Sequence, residues 1–302
     1  MKARFNGHAR ANFAFAGVTG ASAVVIVGLL AWILLDVAIN GLPQLSWEFV
    51  SAPPREGMTA GGIFPAIFGT VLLVLLMTVA VVPVGVLTAV YLYEYADQEG
   101  LFARAIRSAV YNLAGVPSIV FGLFGLGFFI QFVGGGIDRL FYGGAVVWGQ
   151  PAILWASLTL AVLTLPVVIV STEEALRSVP REHREAALAL GSTRFEALWK
   201  VVLPQALPGI LTGAILAVAR GAGETAPILF TGAAYFLPHL PTRPYDQFMN
   251  LGYHVYVLAT QSPDVEAARP ILYGTVLVLL LVTIVLNLLA VTLRSRLRAG
   301  RA

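Results

Sequence analysis

Cysteine is absent from all 302 residues, which removes disulfides, thiolate metal sites and thiol chemistry together. Charge is nearly as scarce. Asp, Glu, Lys and Arg make up 12% of the chain, about half the roughly 25% of a soluble domain. Lysine occurs only at Lys2 and Lys200, and neither belongs to a Gly-x-x-x-x-Gly-Lys-Ser/Thr stretch, so no phosphate-cradling P-loop is present. No Lys/Arg run with interleaved aromatics exists, and nucleic acid is a poor partner for such a chain. The four histidines, His8, His183, His239 and His254, are scattered without a second ligand at metal spacing. No nucleophile–base or metal constellation supports an enzyme.

What remains is 58% hydrophobic and organised for a bilayer. Crossing roughly 30 Å of hydrocarbon takes about 20 apolar residues, and six segments qualify: 13–35, 63–93, 110–133, 146–170, 207–230 and 271–293. The fifth alone contains charge, at Arg220 and Glu224. Fourteen basic residues flank the spans on one side and four on the other, which predicts that both termini face the cytoplasm. The expected organisation is a cytoplasmic segment over 1–12, then one transmembrane domain over 13–302 surrounded by membrane lipid. The first apolar run is too long for a signal-peptide core and reads as a retained span. A helix-like run at 245–259, with aromatics and few charges, is expected at the bilayer surface.

A charged island interrupts this pattern. Residues 173–204 hold ten Asp, Glu, Lys or Arg between two spans, inside a loop expected over 171–206. Ser171 with Glu174 is a capping-box pattern, predicting that a cytoplasmic helix starts there. Pro180 fits the first turn of a helix and Gly191 its left-handed cap. Thr193 with Glu196 is a second capping box, and Pro204 is expected to close that helix. The prediction is helix, glycine turn, helix, with Phe195, Leu198 and Trp199 as apolar knobs.

Glu185-Ala186-Ala187, three residues, Gly191, nine residues, then Val201-x-Leu203-Pro204 resembles the Glu-Ala-Ala loop of bacterial ABC importer permeases. Val stands where that family more often has Ile. The resemblance implies an all-α polytopic chain with the type I importer permease fold. It also implies coupling helices, formed around Glu185, Ala186, Ala187, Gly191, Leu203 and Pro204, that sit in a groove of an ATP-hydrolysing subunit. ATP would be used by that partner, and this chain would bind no cofactor. The alternative is a solvated amphipathic hairpin covering the membrane face.

Arg220 and Glu224 stand four residues apart, about halfway and two-thirds along the fifth span, and are expected on one helix face. A charge near the bilayer centre costs at least roughly 2.5–3.5 kcal/mol. Either the two neutralise each other, or Arg220 binds an anion while Glu224 holds the guanidinium. Its planar fork suits a tetrahedral oxyanion. The stretch from Ala219 to Thr231, with Glu224-Thr225-Ala226-Pro227 followed by Leu229-Phe230-Thr231, resembles phosphate importer permeases of the PstA type. Gly61–Thr70, Val116–Phe124 and Tyr253–Thr260 support that likeness. It implies a heterodimer with a PstC-type permease, two copies of a cytoplasmic ATP-binding subunit, and a periplasmic or surface phosphate-binding protein in a bacterial inner membrane. The implied pathway passes Arg220 and Glu224. Ser118 and Thr225 are further candidate hydroxyl donors, with packing or backbone bonding in a helix the favoured reading of both. Cargo such as tungstate, molybdate or sulfate, and a self-contained secondary transporter, are the competing readings.

Overall fold

The computed structural model describes residues 2–55, 60–97, 99–262 and 264–299. Helix α1 spans Lys2–Gly41 and passes through a 3-10 turn into α2 (Trp47–Ser51). Ser46 caps α2 by accepting from the Phe49 N–H. A small antiparallel ribbon, β1 (Pro54–Arg55) and β2 (Ala60–Gly61), follows. Next come α3 (Phe64–Val90), which widens into a π-helical end at Tyr91–Tyr95, and α4 (Leu101–Ala114). Helix α5 (Ser118–Phe124) continues through a π-helical stretch, Gly125–Gly134, into α6 (Gly135–Phe141). Then follow α7 (Ile153–Arg177), α8 (Arg181–Ala189) and α9 (Arg194–Ala197). A π-helical turn, Leu198–Val202, joins α9 to α10 (Leu203–Gly223). Helices α11 (Ile228–Thr231), α12 (Leu251–Thr260) and α13 (Val265–Ala299) complete the chain.

Among the described residues, six helical rods are long and apolar enough to cross a membrane: Phe15–Gln44, Phe64–Tyr95, Ser118–Phe141, Ile153–Arg177, Arg194–Gly223 and Val265–Arg296. Helix α7 is the axis. In its most apolar stretch 67% of residues are buried inside the chain, against 6% in α1 and in α13. Leu73, Met77 and Val81 of α3, Leu160 and Val168 of α7, and Ala217 of α10 share one core. The outer helix α1 is tied to α13 where the Tyr273 hydroxyl donates to Asp36 Oδ2 at 3.0 Å. From Val18 to Leu35 its large apolar side chains are exposed, where a bilayer accepts them, while Val37 is buried.

The third and fourth spans sit further along the chain than the hydrophobic runs suggest, and each shift has a local cause. The third begins at Ser118 rather than 110, because Pro117 ends the helical path and leaves α4 as a separate element. Residues 135–141 are helical in spite of the glycines that open them. The fourth begins at Ile153 rather than 146. Residues 147–149 are instead wrapped on the buried Asp138 carboxylate, which accepts from the N–H groups of Val147, Trp148 and Gly149 at 3.0, 2.8 and 2.7 Å. The predicted box at Ser171 does not form. Helix α7 runs through to Arg177, and the Ser171 hydroxyl donates to the Val167 carbonyl. Tertiary packing decides this: Ser171 and Ala175 lie against Gly213 and Gly209 of α10, where a Cβ would have no room.

The 245–259 run is also corrected. Its helix is Leu251–Thr260, and it is an internal element rather than a surface one, with Leu251, His254, Val257 and Leu258 buried. Asn250 caps it by accepting from the Tyr253 N–H, and the Leu251 N–H donates to Thr70 Oγ1 of α3 at 2.9 Å. The close approach rests on Gly69, where a Cβ would fall 2.0 Å from the Met249 carbonyl oxygen.

Two outcomes check this packing. Gly69→Val is expected to cost roughly 1–3 kcal/mol, as overpacking does, lowering the unfolding midpoint of the detergent-solubilised chain; an unchanged midpoint would remove α12 from α3. His254 has no partner on either ring nitrogen among the described residues, and burial pushes its pKa from 6.5 down to about 4. A depressed histidine pKa contributes stability that is present above the unfolded value and is lost as pH falls from about 6.5 toward about 4. The midpoint of the wild-type chain should therefore drop between pH 7 and pH 5 by more than that of His254→Leu. Equal drops would place His254 in contact with solvent.

Candidate translocation site and docking element

Helix α10 carries the intramembrane charges, and it ends between them. Gly221 and Gly223 are weak helix formers, and Pro227 lacks the N–H needed to carry the helix on. The helix stops at Gly223, and Glu224 adopts an extended conformation at φ −76°, ψ 129°. The expected continuous span to 230 is therefore broken after 223 and resumes as the short α11. The pair nonetheless forms: Arg220 Nε donates to Glu224 Oε1 at 3.4 Å. Among the described residues no other nitrogen of this guanidinium has a protein acceptor. The Arg220 side chain is 38% exposed and that of Glu224 19%. Arg220 also occupies the last turn of α10, where unpaired carbonyls favour a cation. Carboxylate and helix end together stabilise the charge while leaving the two terminal nitrogens open.

The unwound segment is braced on three sides. Gly221 faces Met77 of α3, and a Cβ at Gly122 of α5 would stand 3.0 Å from Pro227. Thr225 packs its hydroxyl against Gly252 of α12, a placement that serves packing. Ser118 opens α5, half-buried, and no contact joins it to Arg220 or Glu224 among the described residues. Of the four expected pathway residues, then, the structure brings two together.

The charged island folds much as its caps imply. Helix α8 ends in a paired-bond turn, with the Gly191 N–H bound to the Leu188 carbonyl and the Ser192 N–H to the Ala187 carbonyl. Gly191 has φ +89°, the left-handed geometry such a turn requires. Thr193 and Glu196 form a reciprocal capping box. Glu185 and Ala186 are exposed, while Ala187 is buried. Leu190, Phe195 and Trp199 are exposed, and the last two stack with ring centroids 6.3 Å apart; Leu198 turns inward.

Pro204 does not close the second helix. The π-helical turn before it accommodates the residue that cannot donate, and the rod runs unbroken from Arg194 to Gly223. Leu203 and Pro204 are half-buried inside this rod rather than displayed on a docking face. Sixteen residues separate Pro204 from Arg220, roughly 24 Å at a helical rise of about 1.5 Å. The exposed Phe195–Trp199 pair and the cationic helix end thus belong to one rod.

Reading the sequence missed the ion pairs around the π-helical end of α3. Arg184 of α8 pairs with Glu94, and its guanidinium lies 5.7 Å from the Tyr93 ring centroid. Arg107 of α4 pairs with Glu173 of α7 at 3.4 Å and donates to the Leu92 carbonyl at 3.0 Å. One signal was available: Glu94 is the first charge after the uncharged run 63–93.

Residues 81–299 match the model of the family described as binding-protein-dependent transport system inner membrane component. The chain is 34% identical over 287 residues to the probable ABC transporter permease protein YqgI of Bacillus subtilis, covering 91% of this chain and 92% of that one. It is 35% identical over 277 residues to the phosphate transport system permease protein PstA 1 of Mycobacterium tuberculosis H37Rv, covering 90% and 84%. With a probable PstA of Methanocaldococcus jannaschii it shares 31% over 271 residues, covering 89% and 88%. A crystal structure of a bacterial alginate ABC transporter shares its fold, with TM-score 0.63 at 16% identity over 88% of this chain and 91% of that one. An inward-facing methionine ABC transporter does so at 0.52 and 18% identity, over 78% and 94%. The match spans most of the helical rods described above, and the chain belongs to the family of binding-protein-dependent transport system inner membrane components, as a multi-pass membrane permease of the ABC importer fold.

Proposed function

We propose that this chain is the PstA-type permease of an ATP-driven phosphate importer. The carrying observation is the Arg220 guanidinium, held at Nε by Glu224 and open at its terminal nitrogens. Such a fork can donate two parallel hydrogen bonds to one tetrahedral oxyanion. Relatives named as phosphate permeases over most of the chain support that cargo. Phosphate near neutral pH carries up to two negative charges, and this chain offers one cation at the site. A second, PstC-type permease supplies the remaining donors, which makes the translocation path a heterodimer interface. Ser118 and Thr225 belong to its wall: Thr225 adjoins Glu224 in the unwound segment, and Ser118 opens the helix packed on Pro227.

The basic side of the rods faces the cytoplasm, with both termini, in accord with the positive-inside bias. There Glu185, Ala186, Ala187 and the turn at Gly191 dock on one of two ATP-binding subunits, and Leu203 and Pro204 transmit the motion along α10. A phosphate-binding protein delivers the anion on the opposite side. ATP is consumed by the partner, and this chain binds no cofactor. Alternating access follows: closure of the ATPases displaces α8, α10 moves as a rod, and the Arg220 site is exposed to one side and then the other.

Phosphate uptake by proteoliposomes containing the complete transporter tests the site. Arg220→Gln is expected to lower uptake roughly 10- to 100-fold, in line with the ~1.5–3 kcal/mol of a hydrogen bond to a charged group, with assembly intact. Arg220→Lys, keeping charge without the fork, should fall between. Near-normal uptake by the glutamine variant would return the pair to simple charge neutralisation. Gly191→Val, strained at positive φ, combined with Glu185→Ala should leave ATP hydrolysis running while uptake stops; normal uptake would argue against docking here.

A further inference from the structure

Helix α8 is fastened to two spans, and only one of them follows it in the chain. Toward α10, His183 Nδ1 lies 2.7 Å from Gln205 Oε1. Toward α3, Arg184 donates through Nη2 to Glu94 Oε1 while its guanidinium stands over the Tyr93 ring. Ala187 is the one buried residue of this helix, so side-chain fastenings of this kind contribute much of what holds it.

The receiving end is stiff. Glu94 lies in the π-helical turn Tyr91–Tyr95, whose Leu92 is fully buried. The Leu92 carbonyl is held by Arg107, which is itself paired with Glu173 of α7. Val90 and half-buried Tyr93 pack into the same cluster as Leu176, Val179, Leu198 and Val202. A pull on Glu94 therefore reaches the end of a rod, not a loose loop. The Glu94 side chain is 12% exposed and that of Arg184 29%. In this partly desolvated setting, loss of either partner leaves the other charge uncompensated.

We propose that Arg184 and Glu94 are positioning residues that carry the displacement of α8 to α3, so the docking element drives two spans, α10 through the chain and α3 through this clasp. The inference rests on reading α8 as the ATPase docking element. Helix α3 carries Met77, which faces Gly221 one residue from Arg220, and Thr70, which anchors α12. Moving α3 together with α10 keeps both walls of the unwound segment in register. Moving α10 alone would shear Gly221 past Met77.

The test uses the complete reconstituted transporter and reads phosphate transported per ATP hydrolysed. Glu94→Gln and Arg184→Gln are each expected to lower that ratio at least fivefold with hydrolysis within twofold of wild type. The charge exchange Glu94→Arg with Arg184→Glu should restore more than half of it. Because the chain has no cysteine, Glu94→Cys with Arg184→Cys can be bridged by a bifunctional thiol reagent. The unbridged pair should be uncoupled and the bridged pair coupled, a result decisive even where a glutamine variant assembles poorly. If bridging changes nothing, or both glutamine variants keep the wild-type ratio while Gly191→Val with Glu185→Ala uncouples, the clasp is only a structural fastening. If that last variant stays coupled, the docking reading fails and this inference fails with it.

Discussion

A backbone N–H or carbonyl stranded away from water has to find a partner inside the protein, and in a chain of broken membrane helices this constraint fixes the arrangement of the parts. Helix α7 starts inside the fold, and its first N–H groups cannot be satisfied within the helix. Carbonyls from the distant stretch 231–246 answer them: Ile153 and Leu154 donate to Asp246 and Pro244, and Ala152 donates to Thr231. The Asp138 carboxylate performs the same service for residues 147–149, and Thr70 receives the first N–H of α12. Each interruption is thus tied to a particular second element, and together these ties assemble α3, α7, α11 and α12 around the unwound segment.

Seen in this light, the break after Gly223 is a means of keeping a cation inside the fold. A continuous helix would have hidden its carbonyls in internal hydrogen bonds. By ending there, α10 presents its negative pole to Arg220, and the extended Glu224 reaches back with a carboxylate. Neither group saturates the guanidinium. The remaining donors are compatible with an oxyanion and awkward for a permanently closed core, where unsatisfied donors are costly.

The sequence conveyed the number of rods, the island and its caps, because those signals are local: apolar run length, a threonine three residues before a glutamate, a glycine at a turn. It misplaced what tertiary contacts decide. Ser171 looks like a cap, yet Gly209 and Gly213 offer α7 a neighbour that rewards continuing the helix. Pro204 looks like a terminator, yet a widened turn absorbs it. The Arg220–Glu224 pair was legible from its four-residue spacing, although it forms across a helix end rather than along a helix face. Glu94 stood out as the first charge after an apolar run, but its partner did not, since nothing local links it to a residue ninety positions later.

The π-helical turn at Leu198–Val202 has a geometric effect of its own. A wider turn takes up an extra residue, and one residue of an α-helix corresponds to about 100° of rotation. The phase of the rod is therefore reset between its two ends. A helical wheel drawn straight from Phe195 to Arg220 would assign the exposed aromatic pair and the guanidinium to the wrong relative sides. The azimuth of Arg220 has to be counted from Leu203, after the reset, and the direction in which the outer aromatics point is a separate quantity.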